Sequence, residues 1–232
     1  VRMGCQVHLI ARNPGGLPSD EILDGVSVTR RGGKFLVYPL AAKWYAAEPH
    51  EEFDVVVDEI NTIPFFTPLY VKEPVVALAH QVLLKEILVH ELPSALARLL
   101  TILEPSLLRL YKRSRVVAVS HGTKEDLVSV GIPRGHITVI YNGVDHAKYT
   151  RTDGNIIEPI ILYVGRLKKY KRVDHLIKGM KNVVAGVPSA KLFIVGTGDP
   201  DYKFELELLV TKLGLQRNVT FYGYVSEDKK ID

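Results

Sequence analysis

The sequence predicts an α/β fold built on parallel sheets and divided into two domains. Short Val/Ile/Leu runs recur along the chain and alternate with stretches of helical periodicity. Several of those runs are continuous rather than alternating, as expected for strands covered by helices on both faces. One polar, turn-rich stretch, residues 142–159 ("NGVDHAKYTRTDGNIIEP"), separates two well-patterned halves. The expected division is a first domain over 1–148, a linker over 149–158 and a second domain over 159–232.

In chain order, strands are expected at residues 6–11, 54–58, 74–79, 115–120 and 136–141 of the first half. Residues 25–42 are less regular and suggest a hairpin turning at Gly32-Gly33. Helices are expected at 94–113, which is rich in Leu, and at 124–130. Pro105 should kink or split the first of these, because proline removes a backbone donor and crowds the preceding turn. In the second half, strands at 159–164, 191–195 and 219–222 alternate with helices at 173–184 and 202–213. Val173, Leu176, Ile177, Met180, Val183 and Val184 set the helical period of the former.

Composition narrows the class without naming a ligand. Hydrophobic residues make up 47% and charged residues 24%, a folded globular balance. A net charge of +4 is compatible with nucleic acid, anionic lipid or phosphorylated small molecules. The single cysteine, Cys5, excludes an intramolecular disulfide and a cysteine-rich zinc site, and a buried thiol is expected there. Residues 1–10 lack an apolar run ahead of a cleavage site, and no stretch of about 18 apolar residues suggests a membrane span.

Five of the seven residues from Arg166 to Arg172 are cationic, at the junction of a strand and a helix. Ligands of open α/β sheets bind at the carboxyl ends of strands, and Gly165 ends one. Cations at a helix start oppose the helix dipole, so an anion in the crevice would resolve the conflict. The alternative is a solvated basic loop. "KLFIVGTGDP" (191–200) repeats the strand and glycine turn, and Gly196 and Gly198 permit close backbone approach. Asp201 stands where a dinucleotide fingerprint needs its third glycine, which counts against a nicotinamide cofactor, and no P-loop motif occurs.

The ordered set "VSHGTKEDL" (119–127), "VIYNGVD" (139–145), "ILYVGRLKKYKRVDHLI" (161–177), "LFIVGTGDP" (192–200) and "NVTFYGYVS" (218–226) resembles the large retaining glycosyltransferase family with the GT-B fold. "DEINTIPFF" (58–66) and "VVALAHQ" (75–81) fit its N-terminal domain. The resemblance implies two Rossmann-like domains whose parallel sheets face a cleft, the first on the acceptor side and the second binding the donor. It implies transfer of a hexose from a nucleotide diphosphate-sugar, UDP- or GDP-linked, with retention of configuration and no required metal or other cofactor.

Residue by residue, the family's G-R-L-x-x-x-K pattern falls on Gly165, Arg166 and Lys171, whose cations would hold the donor diphosphate. Two fixed positive groups stabilise charge as the leaving nucleotide departs. Lys168, Lys169 and Arg172 are expected to be solvated or to act at long range. Gly196 and Gly198 match the second glycine turn against the donor, and Tyr224 and Val225 the loop that contacts the base. His80 follows a strand end, where the family carries a histidine that assists transfer. Asn142 and Gly143 stand at the domain junction, beside the cleft or as a hinge turn. Asp58 and Glu59 are placed to touch acceptor or to cap a turn. A metal site from His80, Glu86, His90 and Glu91 lacks the H-E-x-x-H spacing.

The resemblance also implies absences. The family's glycine-rich loop after its first strand would precede Val1, and its E-x7-E segment would follow residue 232. The expectation is a fragment trimmed at both ends, with its first strand missing and its second domain incomplete, inactive in transfer as written. Implied partners are the donor and a sugar or lipid-linked acceptor, in the cytoplasm, without nucleic acid. Arg98, Arg109, Lys112 and Arg113 around the Leu-rich helix suggest peripheral contact with the inner membrane face, or a core helix with snorkelling cations. Competing readings are a non-catalytic nucleotide-sugar-binding protein on the same fold and, less favoured, nucleic-acid binding through Arg166–Arg172.

Overall fold

The computed structural model describes residues 3–47, 53–61, 63–82, 85–149, 159–226 and 229. The chain divides into two compact units, Val1–Asn142 and Gly143–Asp232.

The first unit opens with β1 (His8–Ala11), β2 (Asp20–Leu23) and β3 (Val26–Arg30), which form a sheet in the order β1-β3-β2. β1 runs parallel to β3, and β2 antiparallel to it. The hairpin thus turns at Asp24-Gly25, not at Gly32-Gly33. Asp24 (φ 50) and Gly25 (φ 83) both take the left-handed conformation that a two-residue hairpin loop demands. Gly32-Gly33 instead leads into α1 (Val37–Ala47), which burial of Val37 and Ala41 fixes against the unit. Pro39 disguises this helix in the sequence, yet it lies in the first turn, where no intrahelical N–H bond is made. Cys5, expected to be buried, is exposed.

β4 (Val56–Ile60), β5 (Val75–Ala79), β6 (Arg115–Ala118) and β7 (Ile137–Val139) form a parallel sheet in sequence order. Ile60, Ala77, Ala79, Val116 and Ala118 pack beneath Leu108, Tyr111, Leu127 and Ile132. α2 (Lys85–Glu91), unforeseen in the sequence, packs on α3 (Ser94–Leu108). α3 runs unbroken through Pro105 and ends three residues later, with a 3-10 turn at Arg109–Tyr111 following. α3 buries Ala97, Glu104 and Leu108 but exposes Leu96, Leu99, Ile102 and Leu103, so it is not an enclosed core helix. α4 (His121–Ser129) starts earlier than its periodicity suggests, because the Ser120 side chain accepts a hydrogen bond from Thr123 N (3.0 Å) as N-cap.

In the second unit β8 (Ile160–Val164), β9 (Lys191–Val195) and β10 (Val219–Gly223) form a parallel sheet in the order β10-β9-β8. α5 (Val173–Gly186) and α6 (Pro200–Lys212) connect them. Val173, Ile177 and Met180 of α5 pack with Tyr202, Leu206 and Val210 of α6 over Leu192 and Ile194. Both described helices therefore cover one sheet face. β8 alternates accordingly, with Ile160, Leu162 and Val164 exposed, where burial on both faces was expected. α6 starts where the Asp199 carboxylate accepts from Asp201 N and Tyr202 N, with Pro200 preset for the first turn.

Candidate functional site

β8 ends at Val164, and the chain turns at Gly165 into the cationic loop. Backbone hydrogen bonds stitch this loop to the turn after β9. Gly165 N donates to Val195 O (2.9 Å), Leu167 N to Thr197 O (3.0 Å), and Asp199 N to Leu167 O (3.2 Å). Leu167 is 1% exposed and bridges to Gly198. A Cβ at Gly196 would overlap the Gly165 carbonyl oxygen, and one at Gly198 the Leu167 carbonyl oxygen. Both glycines are thus required by the close approach of two loops. Gly196 N also donates to Gly223 O (2.7 Å), which ties the Tyr224 loop to the same cluster.

Arg166 and Lys171 project from this pinned framework with exposed side chains. Arg166 Nη2 donates to Tyr170 Oη (3.0 Å), and Lys171 Nζ lies 5.4 Å from the Tyr170 ring centroid. Among the described residues neither cation is ion-paired with a carboxylate. Lys169, by contrast, pairs with Glu205 (3.0 Å) and lies 5.9 Å from the Tyr202 ring centroid. Arg172 takes φ 55 immediately before α5, a conformation that favours glycine. Asp174 supplies an acidic first turn to that helix. Tyr224 is 78% exposed, and Val225 is half-buried.

In the first unit the carboxyl ends of β4 and β5 bring three polar side chains together. His80 Nε2 lies 3.2 Å from Glu59 Oε1, the oxygen that also accepts from Asn61 Nδ2 (3.1 Å). His80 N donates to Ile60 O (3.1 Å), fixing the histidine against β4. Asp58, on the buried side of β4, is occupied structurally. It accepts from Phe65 N (3.1 Å), Thr67 N (3.3 Å), Thr67 Oγ1 (2.7 Å) and the Tyr111 hydroxyl. Of the roles open to Asp58 from sequence, the geometry displays the turn cap. Burial, then the Asp58 charge, push the Tyr111 phenol far above its ordinary range. Asn142 and Gly143 are exposed beyond β7, one on each side of the boundary between units.

Among the described residues no group of three or more His, Cys, Asp or Glu side chains is placed to hold a metal ion. Among them, too, no helix is long and apolar enough to cross a membrane.

The family model "Glycosyltransferase Family 4" matches residues 1–148, and "Glycosyl transferases group 1" matches residues 152–232. The chain belongs to glycosyltransferase family 4. An uncharacterised glycosyltransferase of Methanocaldococcus jannaschii is 34% identical over 133 residues, covering 51% of this chain and 33% of the relative. The lipopolysaccharide 1,6-galactosyltransferase of Salmonella typhimurium is 32% identical over 113 residues, covering 47% of this chain and 30% of the relative. This family 4 chain thus spans about a third of the length of these curated relatives. Among solved structures, WaaG, a glycosyltransferase involved in lipopolysaccharide biosynthesis, superposes with a TM-score of 0.66 at 17% identity, over 99% of this chain and 64% of its own. HepE of Anabaena, crystallised with UDP-glucose, does so with a TM-score of 0.63 at 18% identity, over 95% and 70%. The parallel α/β architecture is that of GT-B glycosyltransferases.

Sequence reasoning missed Tyr163, Tyr170, Asn61 and Tyr111. A tyrosine set inside a cationic run was the available signal for Tyr170. Nothing in the sequence linked Tyr111 to Asp58, 53 positions away.

Proposed function

We propose that the full-length protein transfers a hexose from a nucleotide diphosphate-sugar to a sugar or lipid-linked acceptor, with retention of configuration and without a metal ion. Arg166 and Lys171 carry this reading: two cations that pair with no carboxylate among the described residues stand on a loop hydrogen-bonded to the turn after β9, at the carboxyl end of a parallel sheet. Such a pair fits an anionic ligand in the crevice. As the bond between the sugar C1 and the phosphate oxygen breaks, negative charge grows on the departing diphosphate, and both cations stabilise it. The acceptor hydroxyl attacks the same face, and the leaving phosphate takes its proton. His80, held by Glu59, assists from the acceptor-side unit, and Tyr224 and Val225 face the base.

HepE, crystallised with UDP-glucose, supports a UDP-linked donor, and the galactosyltransferase relative supports a hexose. The exposed apolar stripe of α3, flanked by Arg98, Arg109, Lys112 and Arg113, supports peripheral contact with an anionic membrane face. In full-length protein, Arg166→Ala and Lys171→Ala should each lower turnover by about 10²-fold or more. Unchanged turnover in both rejects the assignment. Nucleotide-sugar binding without turnover in the wild type favours a binding protein instead.

A further inference from the structure

We propose that Tyr170 is a positioning residue that sets both diphosphate-binding cations before the donor arrives. This rests on the reading of Arg166 and Lys171 given above. Arg and Lys side chains carry large rotamer entropy, much of which an exposed cation must surrender when it grips a phosphate. Tyr170 reduces that loss for both neighbours at once. Its hydroxyl oxygen accepts from Arg166 Nη2 at 3.0 Å, and its ring lies 5.4 Å from Lys171 Nζ. The arrangement spends one of five guanidinium N–H donors and leaves four for phosphate oxygens.

The surroundings hold Tyr170 for this task. It is only partly exposed and lies in the 3-10 turn Lys169–Lys171, closed by Lys171 N donating to Lys168 O (2.9 Å) and Arg172 N to Lys169 O (3.1 Å). A second tyrosine fixes the other end. Tyr163 Oη donates to the Arg166 carbonyl oxygen at 3.0 Å, anchoring the backbone that bears the guanidinium. Gly165 makes room for that reach, since a Cβ there would come within 3.0 Å of the Tyr163 hydroxyl. Arg166 is thus held at its main chain by one phenol and at its head group by another.

Titration calorimetry on full-length protein tests this, with UDP and GDP as probes and UMP and GMP as controls that lack the second phosphate. Tyr170→Phe keeps the ring and removes the acceptor. It should weaken nucleoside diphosphate binding about threefold to tenfold, the worth of one hydrogen bond, and change monophosphate binding less than about twofold. In an Arg166→Ala background the same substitution should have no further effect, because Tyr170 acts through Arg166. Tyr170→Leu should exceed Tyr170→Phe by also removing the surface beneath Lys171. Unchanged diphosphate affinity in Tyr170→Phe, or an equal loss with and without Arg166, overturns the positioning role while leaving the cation site intact. Full affinity in Arg166→Ala, or no diphosphate binding by the wild type, overturns the cation site itself.

Discussion

Gly198 sits against Leu167 so closely that a methyl group on its Cα would collide with the Leu167 carbonyl oxygen. The loop bearing Arg166 and the turn after β9 are therefore one structural object. Gly198→Ala must push them apart, at a cost of about 1–3 kcal/mol by overpacking. Urea unfolding should show that loss, and nucleoside diphosphate affinity should fall with it. Native stability in Gly198→Ala would mean the two loops are free to separate.

His80 and Glu59 make a pair at the carboxyl ends of adjacent strands, 3.2 Å apart. On the proposed function, His80→Ala should reduce turnover by about 10²-fold, within the range of general acid–base groups. Glu59→Ala should reduce it less, by about tenfold, because the carboxylate acts on the histidine. Steady-state kinetics on the single and double variants decides the order, and independent, multiplicative losses would show that the two do not act as a unit.

The buried Asp58 carboxylate draws hydrogen bonds from the 65–67 turn and from Tyr111. Tyr111→Phe should cost about 1.5–3 kcal/mol, as expected for loss of a bond to a charged buried group. The sign with pH is fixed. The folded phenol's pKa lies above its ordinary value of 10.0, so its stabilising contribution is complete below that pH and declines as the unfolded chain ionises above it. Wild type and Tyr111→Phe should therefore converge in stability under alkaline denaturation. A gap that widens with pH contradicts the geometry.

Arg172 adopts φ 55 with a full side chain. Arg172→Gly should relieve strain and raise stability by about 1 kcal/mol, read as a higher urea midpoint at unchanged slope. A lower midpoint would show that the contacts of the Arg172 side chain outweigh the strain.

Most strands were legible because buried apolar runs need no distant information, and expected and observed strands overlap at eight places. What failed was local chemistry masked by a stronger signal. Gly32-Gly33 is the stronger turn signal in the sequence, but the paired left-handed residues Asp24-Gly25 make the actual hairpin. Pro105 reads as a breaker, yet α3 continues through it for three more residues without the bond its N–H would have donated, while Pro39 lies in a first turn, where no intrahelical N–H bond is made. α2 is short, and its packing on α3 holds it in place.

The candidate site divides in the same way. Sequence alone placed cations at a strand end, glycines in the following turns and a histidine after β5, because each follows from residue type and spacing. Tertiary structure alone decided that Asp58 is spent on a turn and Tyr111, that Lys169 is neutralised by Glu205, and that Arg166 and Lys171 share Tyr170. Most of those partners are brought together by folding, and hydrogen bonds form over about 3 Å, a distance no one-dimensional pattern records.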